Sequence, residues 1–99
     1  MIRVGRKGEP GAQYIGRGSP LGNPFPISGT NTRDVVCDKY MRWFTVQVSE
    51  KNPVVMAELA RLEALARAGD LVLGCFCSPQ RCHGDTIRRY LNDRLNYPA

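Results

Sequence analysis

A helix, a short apolar strand and a second helix follow one another in the second half of the sequence, and this order constrains the fold most. Asn52 and Pro53 form a helix start, with asparagine at the N-cap and proline at the first helical position. Apolar residues then recur every three or four positions until Gly69, which we predict to close the helix as a C′ glycine. The run 71–74 is apolar throughout, as in a strand buried on both faces. The alternation predicts a βαβ-like arrangement.

The first half of the chain adds two short strands and one helix. Alternating apolar and polar side chains predict a strand over 2–6, and residues 13–15 fit a second one. Thr32 is the expected N-cap of a helix from 33 to about 49. Cys37 lies beside the apolar face of that helix, so we expect it to be a small buried core residue.

The size of the chain limits it to one small core. Ninety-nine residues suffice for a single domain, which we predict to span 1–99. A last helix follows the cysteines, with Asp85 as its expected N-cap and its end near residue 92 or 95. The predicted fold class is α/β, a short, mostly parallel sheet of three to four strands packed by about three helices.

Residues that commonly carry chemistry are concentrated between the apolar strand and the last helix. Three of the four cysteines and the only histidine lie within nine residues, at Cys75, Cys77, Cys82 and His83. Thiolate and imidazole are ligands that zinc prefers. The spacing is not the paired Cys-x2-Cys knuckle, however, and the adjacent Cys82 and His83 point in different directions in an extended backbone.

Four interpretations of this cluster therefore stay open. All four side chains form a closed Zn²⁺ site, or the three cysteines hold Zn²⁺ while His83 or Asp85 stands near an open fourth position. Alternatively, no metal binds and the segment performs thiol or acid–base chemistry, or the cysteines are core residues or a disulfide. His83 and Asp85 are the candidate catalytic residues, since histidine titrates near neutrality and Asp85 either orients it or caps the helix. Gly84 is expected to leave the helix amides open to an anion.

A segment rich in glycine and proline, residues 16–29, is the second candidate for a binding element. Its four glycines and three prolines exclude regular structure. It also contains large apolar residues, so we expect an ordered loop pinned to the core by Leu21 and Phe25, with backbone amides that approach a ligand. The candidate substrate-binding residues of this loop are Arg17, Ser19, Gly22, Asn23 and Phe25.

The charge favours an anionic partner. The formal net charge is +5, which suits a nucleic acid or a phosphorylated small molecule. The basic residues are scattered and form no run of five or more, so a DNA-binding tail is not indicated. No apolar run approaches the roughly 18 residues of a membrane span, and no signal peptide is evident, so we expect a cytoplasmic protein with reduced cysteines.

The segments 14–25 (Tyr-Ile-Gly-Arg-Gly-Ser-Pro-Leu-Gly-Asn-Pro-Phe) and 74–85 (Gly-Cys-Phe-Cys-Ser-Pro-Gln-Arg-Cys-His-Gly-Asp) together resemble a small family of phage and bacterial proteins. That family is catalogued as a domain of unknown function and is marked by Gly-Asn-Pro and Cys-His-Gly motifs. Some members are associated with phage pathways that modify DNA with 7-deazaguanine bases, in particular with decarboxylation of a 7-carboxy-7-deazaguanine. The resemblance thus implies a decarboxylase that acts on a purine-like base, free or in modified DNA.

The residues are compatible with that activity. Loss of the carboxylate requires protonation of the ring carbon, for which His83, Asp85 or a cysteine would qualify. Arg17 and the backbone at Gly22 could hold a carboxylate or phosphate, and Asn23 could read a purine edge. We expect the two segments to meet across the strand ends in one pocket, and a homodimer is one way for so small a chain to complete it.

Two other classes of function compete with the enzyme. A zinc-stabilised nucleic-acid-binding module would explain the charge and the cysteines, and its DNA affinity would fall steeply with salt. The third class is a phage protein that inhibits a host partner, which no feature of the sequence supports.

Overall fold

Three parallel strands form the centre of the computed structural model, which describes residues 1–77 and 80–96. They are β1 (Ile2–Arg6), β2 (Gln13–Tyr14) and β3 (Leu71–Cys75), in the spatial order β1-β3-β2. The central strand is therefore the last in sequence, and every residue of its Leu-Val-Leu-Gly-Cys run is buried except the half-buried Val72. This burial confirms the interpretation of the apolar run as a strand covered on both faces.

The parallel direction brings the carboxyl ends of the strands to one edge of the sheet. Ile2 pairs with Leu71 and Arg6 with Cys75 along β1, while Tyr14 pairs with Gly74 along β2. The residues that follow the strands continue this alignment, because the Lys7 N–H donates to the Cys75 carbonyl and the Ile15 N–H to the Gly74 carbonyl. We call this side of the sheet the carboxyl edge.

Three helices pack around the sheet: α1 (Arg33–Ser49), α2 (Pro53–Ala68) and α3 (Gly84–Leu95). Helices α2 and α3 both contact β3 and each other, and α1 packs on α2. The α/β class, with three parallel strands and three helices, confirms the fold predicted from the sequence.

The starts of α1 and α2 follow the predicted capping chemistry. The Thr32 side chain accepts the Val35 N–H, and the Asn52 side chain accepts the N–H groups of Val54 and Val55. Gly69 ends α2 as predicted but not as a left-handed C′ glycine. Its φ of 172° is extended backbone, because the chain passes directly into β3 two residues later.

The start of α3 differs from the prediction, since the helix begins at Gly84 and Asp85 is not its N-cap. The preceding residues satisfy the first helical donors instead: the Cys82 sulfur accepts the Gly84 N–H and the Cys82 carbonyl accepts the Asp85 N–H. Gly84 also lets α3 approach the sheet closely, because a Cβ there would lie 2.8 Å from Ile15 Cδ1 and 3.1 Å from Val4 Cγ2.

One apolar core joins these elements. It combines the inward faces of the helices with β3 and the segment 16–29, which we call the Gly/Pro loop, and Leu21 and Tyr40 are fully buried in it. Cys37 is buried on α1, as predicted. Among the described residues, no helix combines the length and the apolar character that crossing a membrane requires.

Candidate active site

A cavity of about 280 Å³ opens at the carboxyl edge, between the Gly/Pro loop, the cysteine segment (residues 75–77 and 80–85) and the start of α1. Its wall is mostly apolar and carries several arginines. The lining residues are Tyr14, Gly16, Arg17, Asn23, Phe25, Ile27, Arg33, Val36, Cys37, Cys75, Phe76, Cys77, Arg81, Cys82 and His83. The two segments that the sequence singled out thus meet across the strand ends.

Side-chain donors hold the first part of the Gly/Pro loop in place. The Tyr14 hydroxyl donates to the Arg17 carbonyl at 2.9 Å, and the buried Tyr40 hydroxyl donates to the Leu21 carbonyl at 2.8 Å. The predicted pinning by Leu21 holds, since Leu21 is fully buried, whereas Phe25 is half-buried at the cavity wall. The loop is therefore ordered by hydrogen bonds to its own carbonyls as well as by an apolar anchor.

Three of the predicted substrate-binding residues shape this loop. Asn23 spans the loop and α1, because its Nδ2 donates to the Val36 carbonyl and its Oδ1 accepts the Phe25 N–H at 2.8 Å. The Ser19 hydroxyl donates to the Gly16 carbonyl at 2.6 Å, and a Cβ on Gly22 would lie 2.6 Å from that same oxygen. Asn23 lines the cavity; Ser19 and Gly22 lie outside its lining.

Arg17 and Phe25, the other two predicted binding residues of this loop, both line the cavity. Arg17 is exposed, and within the ranges 1–77 and 80–96 it has no carboxylate partner. Its guanidinium is therefore available to an anionic ligand.

The three clustered cysteines converge at the cavity wall. The Sγ atoms of Cys75, Cys77 and Cys82 lie within 4.8 Å of one another, with Cys75 and Cys82 buried and Cys77 partly exposed. The structure joins Cys75 and Cys82 as a disulfide, although their Cα atoms are 7.4 Å apart. Because bridged cysteines usually have Cα atoms no more than about 6.8 Å apart, this backbone spacing suits a disulfide poorly.

His83 is buried beside the sulfur cluster with a fixed ring orientation. Its Nε2 lies 2.6 Å from the Ile15 carbonyl oxygen, which can only accept, so Nε2 carries the proton. Its Nδ1 lies 3.5 Å from the Cys82 sulfur, and the Tyr40 ring packs against the imidazole. Burial lowers the pKa of His83, so the ring is neutral near pH 7.

The other two residues predicted in this segment lie apart from the cavity. Asp85 is exposed on the first turn of α3 and is not among the lining residues, so the structure does not bring it to the site. The Gly84 N–H donates to the Cys82 sulfur at 3.3 Å, and the next two helix amides are bonded to carbonyls of residues 82 and 83. The helix amides that were expected to bind an anion thus already donate hydrogen bonds within the protein.

Several lining residues were not selected from the sequence. Tyr14 and Phe76 follow from strand position alone, because each lies at or just after the end of a parallel strand. Arg81 forms ion pairs with Asp34 and Asp38 at 3.0 and 2.8 Å, which raise its pKa and tie the cysteine segment to α1. Asp34 and Asp38 lie four residues apart and therefore on the same face of α1. This spacing could have indicated from the sequence that one basic side chain pairs with both carboxylates.

A second wall contribution comes from α1. Cys37, expected only in the core, is buried but also lines the cavity, and burial raises the pKa of its thiol. Arg33 lines the same wall and donates to the Arg81 carbonyl.

Comparison with known proteins gives one match. The model of the family described as "Domain of unknown function (DUF4326)" matches residues 2–93. No curated protein and no solved structure matches the chain.

Proposed function

The chain belongs to the family described as a domain of unknown function (DUF4326), and we propose that it is a small phage-type enzyme that removes the carboxylate from a 7-carboxy-7-deazaguanine base. The observation that carries the proposal is the cavity at the carboxyl edge, which unites the Gly/Pro loop, the cysteine cluster and cationic side chains. A pocket of convergent polar groups with mostly apolar walls is typical of a small-molecule site.

The size and walls of the cavity suit a purine-like ring. Its volume of about 280 Å³ is at the lower end of the range for small-molecule pockets. The aromatic rings of Tyr14, Phe25 and Phe76 line it, and they provide flat apolar surfaces for a planar heterocycle.

The arginines give the cavity the charge that a carboxylated base requires. Arg17 and Arg33 both line it, and a guanidinium binds a carboxylate through two parallel hydrogen bonds. We assign Arg17 to the substrate carboxylate, because it has no carboxylate partner within the described residues, whereas Arg33 already donates to the Arg81 carbonyl.

Zn²⁺ is part of the proposal, with Cys75, Cys77 and Cys82 as its ligands. Two thiolates on one tetrahedral zinc lie roughly 3.8 Å apart, given Zn–S bonds of about 2.3 Å. Three sulfurs within 4.8 Å of one another are compatible with such a site, as is the wide Cα separation of Cys75 and Cys82. Three protein ligands leave one position for water or substrate, and zinc there supplies a Lewis acid for the carboxylate.

His83 does not donate the proton in our proposal. Its Nε2–H is committed to the Ile15 carbonyl, and its unprotonated Nδ1 faces the Cys82 sulfur. The neutral ring therefore has no proton free for the substrate.

The reaction breaks the bond between the ring carbon and the carboxylate. The electron pair of that bond stays with the ring carbon, carbon dioxide leaves, and the carbon takes up one proton. We assign the proton to Cys37, a thiol in the cavity wall that burial keeps protonated at neutral pH. Solvent then returns a proton to the resulting thiolate.

The experiment is to incubate the purified protein with 7-carboxy-7-deazaguanine and follow the decarboxylated base by liquid chromatography with mass detection. We expect product with the wild-type protein and strongly reduced turnover with Arg17→Gln, Cys37→Ser and Asn23→Ala. Val54→Ala, an exposed change on α2, is the matched control and should retain turnover. Absence of product from a folded, zinc-loaded wild-type protein would contradict the proposal.

The rival function, a zinc-stabilised nucleic-acid-binding module, lacks a comparable observation. It would not require a cavity whose wall combines arginines with clustered thiols. A protein that binds nucleic acid without any turnover of the base is the result that would favour it.

A further inference from the structure

Three residues that lie at or just beyond the strand ends form a small surface at the mouth of the cavity. Tyr14 and Phe76 meet edge to face, with ring centroids 6.2 Å apart and planes inclined by 81°. The Lys7 ammonium lies 4.9 Å from the Tyr14 centroid and 4.6 Å from the Phe76 centroid. We call Lys7, Tyr14 and Phe76 the edge platform.

Phe76 is the unusual member of this platform, because 72% of its surface is exposed. The aromatic residues Tyr40 and Phe44, by contrast, are buried in the core. An exposed ring contributes little to folding, and its flat face is free to stack on another planar group. Since Tyr14 and Phe76 also line the cavity, the platform and the cavity form one continuous surface.

The platform is also cationic. Within the described part of the chain, Lys7 and Arg17 have no carboxylate partner, and the nearby Glu9 is already paired with Arg3 at 2.6 Å. Uncompensated cations beside an exposed aromatic ring are the pattern with which proteins bind single-stranded nucleic acids. In that pattern a base stacks on the ring while the cations contact phosphates.

We infer that the substrate base reaches the cavity as one unit of a single-stranded nucleic acid, which extends the proposed function and rests on it. The modified base occupies the cavity with its carboxylate on Arg17, the neighbouring base stacks on Phe76, and the phosphate between them faces Lys7. A base inside a duplex cannot enter such a cavity without leaving its stack, so an unpaired strand binds better than a duplex.

The test measures fluorescence anisotropy of labelled 12-nucleotide strands, in DNA and RNA versions of one mixed sequence, with a duplex and a mononucleotide as competitors. We expect one of the two strands to bind and the duplex and mononucleotide to compete poorly; the preferred strand identifies the sugar. Phe76→Ala should weaken binding roughly 5- to 150-fold, the loss typical of one stacked base. Phe76→Tyr should retain it.

Salt dependence tests the cationic part of the surface. Lys7→Gln should flatten the log–log dependence of the binding constant on salt by about 0.7 for the one phosphate contact it removes from a single strand. Lys51→Gln, in the turn between α1 and α2, is the matched control and should leave the slope unchanged. Equal binding of strand and mononucleotide, equal binding of strand and duplex, or full affinity in Phe76→Ala would each overturn the inference.

These experiments distinguish failure of the nucleic-acid inference from failure of the proposed decarboxylation. A protein that decarboxylates the free base but binds no strand would disprove the edge platform as a nucleic-acid surface and leave the decarboxylase standing. Strand binding that depends on Phe76, without any decarboxylation, would support the platform and reject the proposed reaction.

Discussion

Helix α2 and the carboxyl edge differ in how their side chains stabilise the fold. On α2, apolar residues at helical spacing are buried against the sheet and α3. At the carboxyl edge, polar side chains donate to backbone carbonyls of residues 15–21, as Tyr14, Ser19, Tyr40 and His83 do. The helix is stabilised mainly by removal of apolar surface from water, and the edge by directed hydrogen bonds.

This difference means that several polar side chains of the segments 14–25 and 74–85 are already hydrogen-bonded within the protein. Asn23, Ser19 and His83 use their polar atoms to hold an irregular loop that no strand pairing supports. The groups of the described residues that these bonds leave available to a ligand include the clustered sulfurs, Cys37, Arg17 and the exposed ring of Phe76. Substitutions in the two regions should therefore have separable effects on stability and on the site.

The largest expected effect is on the metal. Cys77→Ser removes one of three clustered sulfurs, and we expect zinc content to fall from about one per chain to near zero, with loss of turnover. Cys37→Ser is the control, since its sulfur lies outside the cluster and zinc should stay bound. Metal analysis by inductively coupled plasma mass spectrometry checks both, and equal zinc in the two variants would contradict the assigned ligands.

The second largest effect is expected from a cavity created by substitution in the core on the α2 side of the molecule. Leu59 is buried in the core, so Leu59→Ala should lower the free energy of unfolding by about 2–5 kcal/mol. Urea denaturation measures this loss. The chains that remain folded should keep their zinc and their turnover per folded molecule, and a selective loss of turnover would show that the two regions are not separable.

A smaller loss, confined to the carboxyl edge, is expected from Tyr40→Phe. The change removes the hydroxyl that donates to the buried Leu21 carbonyl and leaves the ring in place. An unsatisfied buried acceptor costs about 1–3 kcal/mol of stability. Unlike Leu59→Ala, this variant should also lower affinity for the base, because the Gly/Pro loop loses an anchor; titration calorimetry with the base distinguishes the two.

The ends of the regular elements were predictable because their signals are local. Thr32 and Asn52 cap helices by accepting hydrogen bonds from N–H groups two or three residues away. The apolar composition of β3 is itself enough to predict that this strand is buried. The prediction of Asp85 as the N-cap was wrong because Cys82, three residues earlier, accepts the first helix N–H groups with its sulfur and its carbonyl, which a capping pattern does not consider.

The composition of the site was less predictable, since it depends on contacts between distant residues. Cys37 reaches the cavity because Arg81 is paired with Asp34 and Asp38 on the same helix, 43 or more positions earlier in the chain. Lys7 and Phe76 meet only because β1 and β3 are parallel neighbours. The periodicity of a single segment therefore predicts neither of these contacts.

The smallest expected effect is a pH-dependent one on the α2–α3 side. Glu63 accepts hydrogen bonds from Arg94 and Arg67, and the pKa of its carboxyl is lowered, chiefly by Arg94. Since the folded pKa is below the ordinary 4.5, its stabilisation is fully present above pH 4.5 and disappears as pH falls through the folded value. Solvent screening limits it to at most about 1 kcal/mol.

Glu63→Gln should therefore be slightly less stable than wild type at pH 7 and equally stable at the lowest pH where both fold. Thermal unfolding across that range measures the difference, and zinc content should not change. A difference that grows toward acid would contradict the assigned ion pairs.

The most direct test of the proposed active site is a joint count of zinc and reactive thiols in wild-type protein purified without oxygen. We predict about one zinc per chain, with Cys75, Cys77 and Cys82 protected from thiol reagents until a chelator removes the metal. A protein without zinc in which Cys75 and Cys82 form a disulfide would contradict the metal site, and the proposed chemistry would then have no Lewis acid.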